Sequence, residues 1–358
     1  MVRWRSGQVR TIRRRWAGAI EYEVTLDRRT PDDPDTVCAL GYPKLVGEAE
    51  PGDRVLLNTN ALALGLGTGG YALVVALPDR LPADPAGPGH VVKARYTPLQ
   101  AVVQAADEDD APYRSVLADA DDLGGMPVVL ADLHSALPAI LAGIPDTVPV
   151  AYLMTDGGAL PAWFSRSLAE LSGRLAGTVT VGQAYGGDLE ATNTHSGLLA
   201  CRYALGAAIT VVAQGPGNLG TGTRWGYSGV AVGEAVNAVA TLGGRPVGSL
   251  RISDADPRAR HQGVSHHSLT AYGRVALAPA DLVVPDGLGP DLAARVADDL
   301  AALPDRHRIV TVDTAGLLDA LRDCPVRLST MGRGLAEDTA YFLAAAAAGR
   351  YAAGLLPA

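Results

Sequence analysis

Cysteine occurs three times, phenylalanine twice and lysine twice in 358 residues. Cys38, Cys201 and Cys324 are far apart and odd in number, which excludes a disulfide framework and points to a reducing cytoplasm. No uninterrupted apolar run reaches the roughly 18–20 residues of a membrane helix, so no membrane partner is expected. Six arginines lie within the first fifteen residues (Arg3, Arg5, Arg10, Arg13, Arg14, Arg15), but no apolar segment follows them. That stretch reads as a solvated strand edge rather than a signal peptide. The net charge of −8 supplies no general positive field, so nucleic acid is not expected as a partner either.

What is present is apolar and small. Hydrophobic residues make up 48% and charged residues 19%, a globular composition with length for one large domain or two. Alanine, valine, leucine and glycine dominate, which suits helices packed closely on a parallel sheet.

Residues 1–89 read as a small β domain, a β-barrel or β-sandwich. Short runs at Val9–Ile12, Ala19–Val24, Arg54–Leu57 and Tyr71–Val75 are separated by Gly, Pro and Asp turns. A glycine run, Gly65 to Gly70, lies between two of them, and Pro82–Gly89 reads as a linker. From residue 90 to 358 the pattern changes to short apolar runs alternating with segments of helical spacing. This is the signature of an α/β, Rossmann-like three-layer domain with a mostly parallel sheet. Strands are expected near 127–131, 148–153, 177–182, 207–213, 246–252, 281–285 and 308–312. Helices are expected near 98–118, 135–143, 159–175, 189–205, 229–242, 290–303, 314–322 and 335–349.

In such a sheet, ligands collect beyond the carboxyl ends of the strands. The run after the 207–213 strand, Gln214-Gly215-Pro216-Gly217-Asn218-Leu219-Gly220-Thr221-Gly222-Thr223, is a glycine-rich turn of the kind that points backbone N–H groups at an anion. It matches G-x-G-x-x-G, so a nucleotide cofactor has to be considered. The acidic ribose partner is missing, because the nearest candidate, Asp254, lies 34 residues beyond Gly220 (254 − 220).

A second polar cluster, Ser253 to Ser268, carries Asp254, Asp256, His261, His266 and His267. Imidazole and carboxylate together bind a divalent metal or act as acid and base near neutral pH. The candidate metal set is Asp254, Asp256, His261 and His266. The candidate catalytic set is His266, Asp254, Asp156 and Asp188. Gly215, Gly217, Gly220, Thr221, Gly222 and Thr223, with Arg258 and Arg260, are the candidate anion or cofactor contacts. Adjacent histidines point apart on either kind of element, so one at most of His266 and His267 is expected at the ligand. His134-Ser135 lacks the tight G-x-S-x-G turn of a hydrolase nucleophile.

Long motifs resemble one uncharacterised bacterial family, the domain of unknown function numbered 3866. They are Asn58 to Gly70, Arg95 to Gln100, Thr155 to Pro161, Gly186 to Ala191, Gly215 to Gly217, Gly220 to Thr223, Val264 to Ser268 and Thr330 to Gly334. The resemblance spans nearly the whole chain and implies no established activity or site residues. The residues favour a cytoplasmic, homodimeric enzyme acting on a small anionic or phosphorylated metabolite. A non-catalytic ligand sensor or binding module and a structural or assembly protein stay open as alternatives.

Overall fold

Alternating in–out side chains curl the first part of the chain into a cylinder. The computed structural model describes residues 1–27, 30–66 and 70–357. It forms two compact units, Met1–Val103 and Gln104–Ala358. In the first, β1 (Trp4–Trp16), β2 (Ala19–Leu26), β3 (Thr36–Gly41), β4 (Arg54–Asn58) and β5 (Ala72–Ala76) close in the order β1-β2-β3-β5-β4. Every pair is antiparallel except β3–β5. Tyr22, Val24, Val55, Leu57, Ala72 and Val74 point into one core. Of the two expected architectures, the barrel is the one formed. β3 is not among the expected runs, because Cys38-Ala39-Leu40-Gly41 carries little β-branched signal. Arginines of β1 meet acids beside them, Arg13 on Glu21 and Arg15 on Glu48. Gly67 to Gly69 of the glycine run lie outside the described residues.

The hairpin of β6 (Val91–Lys93) and β7 (Ala101–Val103) falls in the same unit. The helix expected over 98–118 is reduced to Arg114–Leu117. Pro98 and Pro112 break it, and the acids between 107 and 110 prefer turns to a helix interior.

In the second unit, strands buried on both faces read as continuous apolar runs. They are β8 (Pro127–Leu130), β9 (Val150–Thr155), β10 (Gly177–Thr180), β11 (Leu189–Glu190), β12 (Ile209–Gln214), β13 (Arg245–Ser249), β16 (Asp281–Pro285) and β17 (Arg308–Val312), with a small ribbon of β14 (Ile252–Ser253) and β15 (Gly263–Val264) inserted. The eight strands lie in the order β11-β10-β9-β12-β8-β13-β16-β17, and every pairing is parallel. Alternate residues feed opposite cores. Val128, Leu130 and Val212 face the helices Ala231–Thr241 and Pro290–Ala301, while Val129, Tyr152 and Val211 face Leu137–Ala142 and Thr339–Gly354. The segment expected as a helix over 189–205 begins as strand β11 and turns helical only at Thr194, behind an Asn193 cap.

This topology places a crevice. The helix after β8 packs on one face and the helix after β12 on the other, yet β8 and β12 are neighbours. Their loops therefore diverge above the strand ends, as at a topological switch point, and enclose a small cavity lined by Asp132, Gln214 and Ser228.

The alanine run near the end of the chain packs as expected. Ala344 to Ala348 are buried, and the long helix touches the helix Leu137–Ala142 backbone to backbone. A Cβ on Gly349 would overlap the carbonyl oxygen of Ile140, and one on Gly143 that of Ala346. Gly349→Ala is expected to lower stability by about 1–3 kcal/mol through overpacking. Gly354→Ala, with open space around it, should not. Urea unfolding of both variants checks this, and an undiminished midpoint for Gly349→Ala would show that the helices do not depend on that contact.

Candidate functional site

Two loops meet above β8 and β12. Gln214, the last residue of β12, donates from Nε2 to the backbone oxygen of Asp132 (2.9 Å) and to Asn218 Oδ1 (2.9 Å). Asn218 Oδ1 also accepts the Ser228 hydroxyl (3.1 Å), whose oxygen takes the Leu219 N–H (3.1 Å). Among the described residues Gln214 Oε1 and Asp132 Oδ2 are buried there with no hydrogen-bond partner, each a cost of about 1–3 kcal/mol unless a ligand supplies one. The apposed loop after β9 closes in through glycine. Side chains on Gly157 or Gly158 would overlap Gln214 Oε1 and the Gly215 carbonyl.

The histidines come from beyond β13. The chain turns through the β14–β15 ribbon, and Ser265 caps the helix His266–Thr270 by accepting the His267 N–H. His261 arrives from a single 3₁₀ turn, and its Nδ1 shares a hydrogen bond with Ser265 Oγ (2.7 Å). The ring centroids of His261, His266 and His267 lie 4.4–4.9 Å apart. Contrary to the sequence expectation, both adjacent histidines join the cluster, because they open a helix against a third imidazole. Tyr227, from the end of the glycine loop, stacks on His267 at 3.8 Å and 2°, and its hydroxyl donates to the His267 carbonyl (2.7 Å). Asp132 Oδ2 stands 3.8 Å from His267 Nδ1.

Burial pulls His261 down to about 3, helped by Arg251 and Arg258. Burial, with His267 and Arg260 beside it, pulls His266 down to about 4. At neutral pH both are uncharged lone-pair donors. His266 Nε2 and His267 Nδ1 are buried without hydrogen-bond partners among the described residues.

Beneath the histidines lies a buried ion cluster. Asp256 is fully buried and receives Arg251 (3.1 Å), Arg258 (two bonds of 2.9 Å) and Arg333 (3.3 Å). Burial pushes its carboxyl up, but the Arg258 bonds and the other guanidinium outweigh this and hold it well below the usual carboxylate range. Arg333 also reaches Asp338 (2.9 Å), which accepts the Ser253 hydroxyl.

The remaining candidates fall in different places. Asp254 is exposed and makes no side-chain bond among the described residues. Asp256 is committed to arginines, and Arg258 to Asp256, so neither is open to a ligand in the way expected. Asp156 accepts the Gln183 N–H and fixes the turn at Gly182. Asp188 accepts the Thr178 N–H near the start of β10, at the other end of that strand from the crevice. Gly215 is buried against Ala159, while Gly217, Gly220, Thr221, Gly222 and Thr223 are exposed. The loop folds back on itself, with the Thr221 N–H donating to Gly226 and Gly220 bridging to Tyr227. The helix Ala231–Thr241 starts well after it, so the loop does not open that helix as a dinucleotide turn would.

Arg260 is exposed, makes no side-chain bond among the described residues, and brings NH2 to 3.9 Å from where a Cβ on Gly222 would lie. Asp132, Gln214, Tyr227 and His267 were missed as site residues. The adjacency of Gln214 to the glycine run was the one available signal.

His134 belongs to a closed network. Tyr152 donates to the Gln214 carbonyl (3.1 Å), so its oxygen accepts His134 Nδ1–H (2.9 Å), and His134 Nε2 accepts the Ser165 hydroxyl (2.7 Å). Burial lowers His134 to about 4 and keeps it neutral in this role. The barrel unit has a separate cleft of about 570 Å³ whose Arg5 and Asp33 side chains pair with each other.

The chain belongs to the family described as protein of unknown function (DUF3866), whose model matches residues 38–349. No curated protein matches it. Among the described residues no helix is long and apolar enough to cross a membrane.

Asp256→Asn is expected to lower stability at pH 7 by about 3–5 kcal/mol, since it leaves buried guanidiniums without their carboxylate. The folded carboxyl lies below its unfolded value of about 3.9. Its contribution is therefore complete above that value and fades as pH falls through the folded one. Unfolding free energies measured from pH 7 to pH 3 should show a shallower acid limb in the variant. Parallel limbs would remove Asp256 as the group responsible.

Proposed function

We propose that the chain is an enzyme acting on a small anionic metabolite, phosphorylated or carboxylated, held in the crevice above β8 and β12. One observation carries the reading. The Gly220–Tyr227 loop has beside its tip, at Gly222, the Arg260 guanidinium, which makes no side-chain bond among the described residues, and the His267 ring stacked on Tyr227 at its base. A charge-recognising group and a cluster of lone-pair donors thus stand at two ends of one loop. The Thr221 and Thr223 hydroxyls, 3.0 Å apart and exposed at the tip, are the matching polar contacts for an anion.

At the base, Gln214 Oε1 and Asp132 Oδ2 offer buried acceptors to the uncharged part of a ligand. The three-layer arrangement and the all-parallel sheet support a Rossmann-like relationship. The free thiols of Cys38, Cys201 and Cys324 support a cytoplasmic setting.

The reading is tested by calorimetric titration of the purified chain with a panel of phosphorylated and carboxylated metabolites, followed by a turnover assay on any that bind. Arg260→Ala is expected to weaken binding about 10- to 100-fold, the worth of a charge-assisted hydrogen bond of roughly 1.5–3 kcal/mol. Its melting temperature should not change, since the side chain supports nothing in the fold. Equal affinity in wild type and variant would remove the anion role of this loop. Binding without turnover would leave a ligand sensor in place of an enzyme.

A further inference from the structure

We propose that His261, His266 and His267 are the ligands of a divalent transition-metal ion of the zinc class. One ligand nitrogen from each lies within 4.8 Å of the others, and these three residues come together from a 3₁₀ turn and a helix start. A tetrahedral ion with nitrogen ligands at about 2.0–2.1 Å holds its donor atoms roughly 3.4 Å apart. The rings must draw in by up to about 1.4 Å, and His266 Nε2, which has no hydrogen-bond partner among the described residues, is free to do so.

The competing explanation is an aromatic cluster that only fills space around Tyr227. Packing alone does not account for the unpartnered atoms. Among the described residues seven buried side-chain polar atoms lack a partner, and four belong to Asp132, Gln214, His266 and His267. A well-packed apolar cluster would not gather these in one crevice.

The surroundings also have the form of an outer ligand shell. Ser265 Oγ engages His261 Nδ1, which leaves Nε2 for the ion. Asp132 Oδ2 stands 3.8 Å from His267 Nδ1, a carboxylate beside the imidazole in the position of an outer-shell partner. Asp256 is held by three arginines and Asp254 is exposed, so the donor set is three imidazoles without a carboxylate. Such a set suits zinc, cobalt, nickel or iron rather than magnesium or calcium. Three protein ligands leave a fourth position for water or an anionic group. The inference goes beyond the reading of the crevice as an active site and does not depend on it.

The test is titration of the chelator-treated, full-length protein with Co²⁺, followed by its visible absorption. Wild type is expected to take up one equivalent per chain with a tetrahedral spectrum. His261→Ala and His266→Ala should each lose affinity by about 100-fold or more, and Asp132→Asn by about 10- to 100-fold. His195→Ala, on an exposed helix start far in sequence from the cluster, should bind as wild type. Arg260→Ala should keep full cobalt uptake even if metabolite binding is lost, so the two proposals fail separately. X-ray absorption of the wild-type complex needs no variant and should show three imidazole nitrogens. No uptake by wild type, uptake unchanged in the His261 and His266 variants, or fewer than three imidazoles would overturn the site. So would binding of inorganic phosphate by a protein that takes up no cobalt.

Discussion

The histidine loop is held in place by one carboxylate. Asp256 has no exposure, and Arg251 is only 2% exposed. Burying either alone would be prohibitive, so the fold retains both only because each neutralises the other. Arg251 then acts through its backbone. Its carbonyl accepts the Ser265 N–H (2.8 Å) and its own N–H donates to Ser268 Oγ (3.0 Å). These two contacts flank His266 and His267. Arg333 extends the tie to Asp338, the residue before the buried helix Thr339–Gly354. The ion cluster therefore fixes the imidazoles to a largely buried helix of the second unit.

That packing rests on small residues. With so little phenylalanine, the core gains its contacts by close approach rather than by large side chains. Gly143 against Ala346, Gly349 against Ile140 and Gly233 against Ala271 each bring backbones nearer than any Cβ allows. Gly233 sets the π-helical turn Ala271–Val275 against the helix after β12, and Tyr272 from that turn donates to the Leu130 carbonyl at the end of β8 (2.9 Å). The turn that follows the histidine helix is thus tied to the end of β8 by one hydrogen bond and to the helix after β12 by one glycine contact.

Much of the scaffold was legible because parallel strands buried on both faces leave unmistakable apolar runs. Val128–Ala131, Val150–Met154 and Ile209–Ala213 are of this kind, with Thr210 the one hydroxyl-bearing aliphatic residue among them. β3 and the 98–118 region were not legible, since a barrel closes on pairing partners that local composition does not announce. In the site, the glycine loop and the 253–268 cluster were visible as unusual polar stretches, and their meeting was expected because both follow strands of a parallel sheet. Asp132 lay in a polar loop after a strand, but its role, like that of Tyr227, was not legible, because each meets His267, a neighbour distant in the chain. The aspartates misled for a physical reason. Asp156, Asp188 and Asp256 satisfy backbone N–H groups or arginines, and sequence spacing cannot separate that work from ligand binding.

The crevice ends up polarised along one loop. Among the described residues, Asp132 at its base carries a carboxylate oxygen with no hydrogen-bond partner beside His267, while Arg260 at its tip carries a guanidinium free of any side-chain bond. The ion cluster below contributes three guanidiniums against Asp256 and Asp338, which leaves the floor positive as well. Protonating His261 or His266 would add like charge to that floor, which works with burial to keep both neutral. Under the proposed function, this field would orient an anionic metabolite with its charged end toward Arg260 and its uncharged end toward Gln214 and Asp132. The imidazoles, with Asp132 on one side and Arg260 on the other, would under the two proposals let a cation and an anion sit side by side.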